Sequence, residues 1–215
     1  MTVELKTEAA FNKVIRERHS VRKYDPSWII SAEEIQEILG DAILAPSSSN
    51  LQPWRFIVIT DQELKQQLLP IAYNQQQVAE ASATIVVLGD IEAYRNADKI
   101  NEQAVAAGYI TAEVGAAMAK RSRDGYSSMP VEKLKEIALV DGGLVSMQLM
   151  LAAKAKGYDT VPMGGFLPDK LRELFSIPER YEPVMLISLG KASAAAHSTA
   201  RLPLEEVTHW NGFEG

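Results

Sequence analysis

The stretch from Leu144 to Ala155 constrains the fold of this chain more than any other, because as a helix it is apolar on nearly every face. It forms the second half of a helical segment predicted over Lys133–Lys156 and closed by Gly157. A helix with one apolar stripe lies on the surface of a core, whereas one that is apolar all round is enclosed on several sides. The chain has 215 residues, enough for one substantial core. This helix therefore belongs either in the middle of a large core or between subunits. Around it, Arg55–Thr60 and Thr84–Gly89 are continuous β-branched runs expected as interior strands, and Val184–Leu189 is a third apolar strand.

The other helices announce themselves by periodicity and caps. Phe11, Val14 and Ile15 share a stripe on a first helix over about Glu8–Arg18. Ser31 caps a second helix and Glu34 completes a capping box. Ile35, Ile38, Leu39, Ala42 and Ile43 are its expected buried stripe, and Ala45-Pro46 ends it. Gln62–Leu69, an alanine-rich Ile100–Arg121 and Pro168–Phe175 complete the helical set. The chain reads as one domain, residues 1–215. Its last 25 residues, from Lys191, lack periodicity yet carry Leu202, Leu204, Val207, Trp210 and Phe213. A free tail with that much apolar surface is an aggregation hazard. The expected arrangement is an extended arm packed along a surface, that of a second subunit, with His209 part of the packing.

Composition removes several classes of function. A net charge of −6 argues against a nucleic-acid-binding surface. The absence of cysteine leaves no disulfide framework, thiolate metal site or thiol redox chemistry, so a redox role requires a bound cofactor. His19, His197 and His209 are not at metal-ligand spacings, and no metal is expected. Met1–Glu8 has no basic region followed by an apolar stretch, so no signal peptide is expected. No uninterrupted apolar run reaches the roughly 18 residues of a membrane span, and a cytoplasmic protein is the simplest inference. There is no G-x-G-x-x-G after a strand and no Walker A motif. Ser47-Ser48-Ser49 lacks the glycines of a nucleophile elbow.

Polar punctuation remains. Arg18-His19-Ser20-Val21-Arg22 places two guanidiniums, an imidazole and a hydroxyl in five positions at the end of the first helix. Such a cluster suits either an anion cradle or a solvated helix end whose cations complement the dipole. Pro46-Ser47-Ser48-Ser49-Asn50-Leu51-Gln52-Pro53-Trp54 is a polar loop between prolines, and Pro162-Met163-Gly164-Gly165-Phe166 is a glycine turn.

In that order, these three runs resemble the flavin-binding landmarks of the nitroreductase family, the FMN-dependent NAD(P)H oxidoreductases. The resemblance spans Arg18 to Leu204. It implies an α+β sandwich around a mostly antiparallel sheet flanked by helices. It also implies a homodimer with FMN at the subunit interface and the C-terminal arm, about residues 191–215, exchanged between subunits. By the same resemblance Arg18 and Ser20 grip the FMN phosphate, with His19 beside them and Arg201 as a second arginine. Arg22 approaches the N1–C2=O edge of the ring, where a cation favours the reduced cofactor. Pro46, Ser47, Ser48 and Asn50 match the loop that the partner lays against the flavin, and Gln52 sits with them. Asn74 and Gln77 match positions on the pyrimidine side, the second often lysine in the better-known branches. Pro162, Met163, Gly164 and Gly165 place backbone N–H groups under N5, although several family members carry glutamate where this chain has Gly164. Lys191 either assists at the strand exit or is solvated.

The implied activity moves hydride from NAD(P)H through flavin N5 to a nitroaromatic, quinone or similar small aromatic acceptor by a ping-pong mechanism, with no dedicated catalytic acid or base. Same-fold alternatives are a reductive dehalogenase, an oxidative flavin enzyme, or a flavin-binding dimer with a sensing role. Tyr109, Met118, Tyr126 and Met129 are either walls of a substrate pocket or ordinary helix packing.

Overall fold

A computed structural model describes residues 2–213 of the chain, with side chains from residue 10 onward. Met1 and the last two residues of the arm lie outside the described residues, as do the side chains of the Met1–Glu8 segment. Eight helices and four strands follow in the order α1 (Thr2–Glu17), α2 (Ala32–Ala42), β1 (Trp54–Ile59), α3 (Gln62–Ile71), α4 (Gln77–Glu80), β2 (Ala83–Asp90), α5 (Ala97–Ala106), α6 (Ala112–Ser127), α7 (Val131–Ala155), β3 (Asp159–Met163), α8 (Pro168–Phe175) and β4 (Tyr181–Gly190). The sheet order is β1-β2-β4-β3 and every neighbouring pair is antiparallel. The fold is α+β, with helices on both faces of the sheet.

Strand β2 shows why. All eight of its residues are buried. Ala83, Ile85 and Val87 join a core with α2 and α7, while Val86 and Leu88 join a second core with α3 and α8. Alternate side chains leave opposite faces of a strand, so a strand covered on both sides must be apolar throughout. The run Arg55–Thr60 behaves differently. It becomes β1, an edge strand, and Val58 is exposed. Its β-branched character does not mark it as interior within one chain.

Helix α7 lies against the sheet on its Leu134, Ala138, Asp141, Val145, Leu149 and Ala153 side. Its length and mean hydropathy of 1.4 match a membrane span, yet half of that stretch is buried within the fold. Small residues permit the close approach. A Cβ on Gly89 would sit 2.8 Å from Ala138 Cβ and 3.0 Å from its carbonyl oxygen, and one on Gly142 would sit 2.7 Å from Val184. Gly89→Ala is expected to cost about 1–3 kcal/mol through backbone displacement, measurable by urea unfolding. The other side of α7 is uncovered. Val140, Leu144 and Met147 are exposed at i, i+4 and i+7, so the helix is enclosed on one side only within a single chain.

The Ser31 cap is present in full. Its hydroxyl oxygen accepts from Glu34 N–H at 3.1 Å, and Glu34 accepts in return from Ser31 N–H at 3.1 Å. α2 ends at Ala42, earlier than Ala45-Pro46 suggests, and Ile43 is exposed, not part of the buried stripe. In α1, Phe11 and Ile15 are likewise exposed. The single helix expected over Ile100–Arg121 is two helices. Gly108 adopts φ +74°, which ends α5, and Thr111 caps α6 by accepting from Val114 N–H. β3 forms where the sequence shows only the start of the Pro162–Phe166 glycine turn. It is an edge strand, where a missing N–H is tolerated.

The arm is fastened only at its root. Asp25 N–H donates to Lys191 O at 2.9 Å and Ser193 N–H donates to Lys23 O at 3.0 Å. Beyond Ser193 no hydrogen bond among the described residues joins it to the rest of the chain. Leu202, Leu204, Val207, Trp210 and Phe213 are all exposed. His209 stacks on Phe213 at 4.2 Å, packing within the arm itself.

Candidate functional site

Three of the polar segments meet at the β3 edge of the sheet. The backbone leaving α1 passes beside β3, with Ser20 bridged to Thr160 and Val21 N–H donating to Thr160 O at 3.1 Å. β3 then runs into the Pro162–Gly165 turn. From the other side comes the connection between α3 and α4, where Tyr73 and Asn74 both take left-handed conformations. Gln75 Nε2 donates to Gly165 O at 2.9 Å, and Gln77 Nε2 lies 3.4 Å from Met163 Sδ and 3.2 Å from Gln75 Oε1. Gln77 is buried and its amide points inward to these partners. A Cβ on Gly165 would lie 3.6 Å from the Tyr73 ring, whereas around Gly164 there is nothing within 4 Å. The turn is held from behind at Gly165 and open at Gly164.

Arg18 is half-buried, and its Nε is buried without a hydrogen-bond partner. A buried donor left unpaired is costly and rare, and a guanidinium more so. Neither Arg18 nor Arg22 has a carboxylate partner among the described residues, although acidic groups outnumber basic ones in the chain by 28 to 22. His19 and Arg22 are exposed. An anion with several acceptor oxygens fits this place, since it would satisfy the forked donors of Arg18 together with Ser20 and His19.

Two further cations stand elsewhere. Lys191 is occupied, donating to Gly157 O at 2.5 Å with its ammonium 4.7 Å from the Tyr158 ring centre. Arg201 lies on the exposed arm and donates to Thr199 Oγ1 at 2.6 Å and Ala200 O at 2.8 Å, so it does not join Arg18 within one chain.

The Pro46–Trp54 segment lies at the opposite edge of the sheet. It leads into β1, and two strands separate β1 from β3, about 14 Å at the usual strand spacing. A short 3-10 turn, Ser48–Asn50, contains Ser49 at φ +49° and Asn50 at +54°, followed by Gln52 at +50°. Non-glycine residues pay for such conformations and keep them only where neighbours over-determine them. Gln52 N–H donates to Ser47 Oγ at 3.0 Å, Asn96 Nδ2 donates to Leu51 O at 3.0 Å, and the Ser49 and Tyr126 hydroxyls are 2.9 Å apart. Ser48 is bound to Asp141 of α7 by its N–H and its hydroxyl, each at 3.1 Å. Burial pushes the Asp141 carboxyl above its usual range, while the two Ser48 donors pull the other way. Beside this loop, Met118, Tyr126 and Met129 line a hollow of about 530 Å³ with Ser49, Asn50 and Arg121. Tyr109 does not line it; it is exposed at the α5–α6 turn.

The groups that lock these segments are Thr160, Gln75 and Asp141, none of which stands out in the sequence, and Tyr126, expected there as a pocket wall or helix packing. All act through contacts with residues far away in the chain, which periodicity does not report.

Residues 15–191 match the model of the nitroreductase family. "Putative NAD(P)H nitroreductase YodC" of Bacillus subtilis is 44% identical over 197 residues, covering 92% of this chain and 96% of its own length. A crystal structure described as a "putative nitroreductase in complex with FMN", from Exiguobacterium sibiricum, superposes with a TM-score of 0.89 at 44% identity, covering 93% of this chain and 96% of that one. "CLA biosynthesis enone reductase" of Lactiplantibacillus plantarum is 34% identical over 191 residues, covering 87% of this chain and 88% of its own. With the family model spanning the sheet, both cores and all three polar segments of the site, this chain belongs to the nitroreductase family.

Proposed function

We propose that the protein is an FMN-dependent oxidoreductase, a cytoplasmic homodimer of one-domain subunits. It takes hydride from NAD(P)H and passes it to a nitroaromatic, quinone or similar acceptor, the two substrates using one site in turn. The observation that carries this reading is the unpaired, buried Arg18 Nε beside the meeting point of the Arg18–Arg22, Asn74–Gln77 and Pro162–Gly165 segments. A phosphate attached to a flat ring system matches those parts. Arg18, Ser20 and His19 would hold the phosphate, with Arg201 reaching it from the arm. Asn74 and Gln77 would meet the pyrimidine side of the ring, and Pro162, Met163, Gly164 and Gly165 would present backbone to its hydride-carrying edge. Pro46, Ser47, Ser48 and Asn50 would close the site from the partner subunit.

When bound, the flavin accepts two electrons and a proton as hydride from NAD(P)H and delivers them to the acceptor. The chain's own contribution is orientation and charge. Arg22 is exposed and without a carboxylate partner, so it adds positive charge that favours the more negative, reduced cofactor. The open side of Gly164 leaves room for a substrate to approach. No side chain need supply or remove a proton from a fixed position, which accords with a site that has no acid–base dyad.

The dimer accounts for what one chain leaves bare. The Val140, Leu144 and Met147 stripe of α7, with Ile43 and Leu44 after α2, gives one apolar face. A groove of about 360 Å³ lined by Ile29, Ile30, Ile35, Leu39 and Val58 runs beside the uncovered edge of β1. The partner's arm, with its five large apolar side chains, would fill it, giving the exchanged arrangement.

The test is optical. Purified protein should be yellow and should bleach anaerobically on addition of NADH or NADPH. Steady-state rates with a nitroaromatic or a quinone should give parallel double-reciprocal lines. Colour without bleaching would instead indicate a flavin-binding protein with a sensing role, and a protein that takes up no flavin would end the proposal.

A further inference from the structure

Asp141 is a carboxylate in the wrong place for stability. It sits on the inner side of α7 and is 2% exposed. It lines a small cavity of about 20 Å³ with Leu51, Leu134, Ile137 and Ala138. Three titratable groups share that cavity: Asp90 at the end of β2, Tyr94 beyond it, and Tyr126 on α6. No cation lines it. The contrast with Asp90 is instructive, because Asp90 is equally buried yet paired with Arg180 and Arg55. Among the described residues, Asp141 receives hydrogen bonds from Ser48 alone. Burying a charge without a counter-charge is unfavourable, and an apolar side chain of similar size is commonly tolerated or preferred at such positions.

What Asp141 does supply is geometry. Its two oxygens take the Ser48 N–H at 3.1 Å each, and one of them also takes the Ser48 hydroxyl. This fixes the residue from which the chain turns into the left-handed Ser49, Asn50 and Gln52. Of the loop's other ties, the Arg55 guanidinium donates to Gln52 O at 3.3 Å at the loop's end, while the Ser49–Tyr126 hydroxyl pair, the Asn96 amide on Leu51 O and the Ser47 hydroxyl under Gln52 N–H are neutral. Hydrogen bonds to a charged acceptor are about twice as strong as neutral ones. Among the described residues Asp141 is the one charged acceptor that holds the loop, and it does so at the residue just before the left-handed turn.

We propose that Asp141 is a positioning residue, which through Ser48 holds the Ser47–Gln52 loop in the shape that meets the partner's flavin. The inference rests on the reading of that loop as a flavin contact. Asp141 touches neither cofactor nor substrate. It belongs to one subunit and acts on the site completed with the other.

The test compares Asp141→Leu, Asp141→Asn and Ser48→Ala in the full-length protein. FMN affinity, the visible flavin spectrum and amide hydrogen exchange over residues 48–52 are measured, the last also in protein stripped of flavin. Asp141→Leu should weaken FMN binding about tenfold or more and shift the flavin absorbance, with exchange of the loop amides accelerated. Asp141→Asn keeps an acceptor for Ser48 N–H and should recover most of both signals. Its stability relative to wild type should also rise as pH increases above the usual carboxylate range. The sign follows from the raised carboxyl: ionising Asp141 as pH rises removes stability from the native state, and asparagine has nothing to ionise. Ser48→Ala leaves α7 untouched and should give a smaller change in the same direction, which keeps the test open if the leucine variant does not fold. Loop exchange and FMN affinity that stay at wild-type values in both Asp141→Leu and Ser48→Ala would overturn the proposal; if the leucine variant does not fold, Ser48→Ala decides alone. If the wild-type protein binds no flavin, the functional reading fails. The hydrogen-exchange arm on flavin-free protein then still decides whether Asp141 holds the loop.

Discussion

Arg18→Ala is expected to weaken FMN binding by about 10- to 100-fold, the ratio that corresponds to roughly 1.5–3 kcal/mol for hydrogen bonds made by a charged donor. The expectation follows from one atom. Arg18 Nε is buried and unpaired, and among the described residues no carboxylate pairs with the side chain. A phosphate would satisfy it, so removing the guanidinium removes the main electrostatic reason for the anion to stay. Arg18→Lys should recover only part of the loss, because an ammonium retains the charge without the planar fork. Fluorescence titration of the stripped protein with FMN gives the dissociation constants directly. Arg22→Ala provides the contrast. It should leave retention closer to wild type and lower the flavin midpoint potential, since Arg22 is exposed and is assigned to tune the ring. Equal FMN affinity in wild type and Arg18→Ala would remove Arg18 from the phosphate site.

The double substitution Val140→Glu, Met147→Glu is expected to convert the proposed dimer to a monomer at micromolar concentration. Both side chains lie on the outer side of α7, where Val140 is 63% and Met147 40% exposed in the single chain. Each glutamate costs little in a monomer, because it faces water. In a dimer packed through this stripe it is a buried charge costing several kcal/mol, and a twofold axis doubles the number. The dimer dissociation constant should rise by about 1,000-fold or more, read by sedimentation velocity across a dilution series. If the Pro46–Asn50 loop, which lies across the sheet from Arg18, completes the flavin site from a second subunit as proposed, FMN should be lost along with the partner. A double variant that stays dimeric and yellow would place the interface elsewhere.

Local signals in the sequence proved dependable. The Ser31–Glu34 capping box and the α8 boundaries at Pro168 and Phe175 are where periodicity and cap chemistry put them, because both depend on residues three or four positions apart. The failures are equally physical. Alanine on both sides of Gly108 hides the break between α5 and α6, since alanine favours helix whichever way the chain is heading. β3 forms where the sequence shows only a glycine turn, and whether a strand tolerates Pro162 depends on its place at an edge, a property of the sheet. Ile43, Phe11 and Ile15 carry a correct amphipathic pattern, but it points away from the core of their own chain. Periodicity reports that a face is apolar without naming what covers it.

The sequence by itself determined the identity and order of the polar segments, the mostly apolar β2, the long α7 and the apolar arm, since these rest on residue chemistry and short-range spacing. Only the tertiary structure decided how they combine. It brought Arg18–Arg22, Asn74–Gln77 and Pro162–Gly165 to one edge of the sheet through Thr160, Gln75 and Met163. It left Pro46–Asn50 at the other edge, locked by Asp141 from 93 residues away. It also divided α7 into a buried side and a bare one. Those outcomes depend on contacts between distant parts of the chain, where burial and the loss of water set the energy of each polar group, and no local pattern encodes which group will meet which.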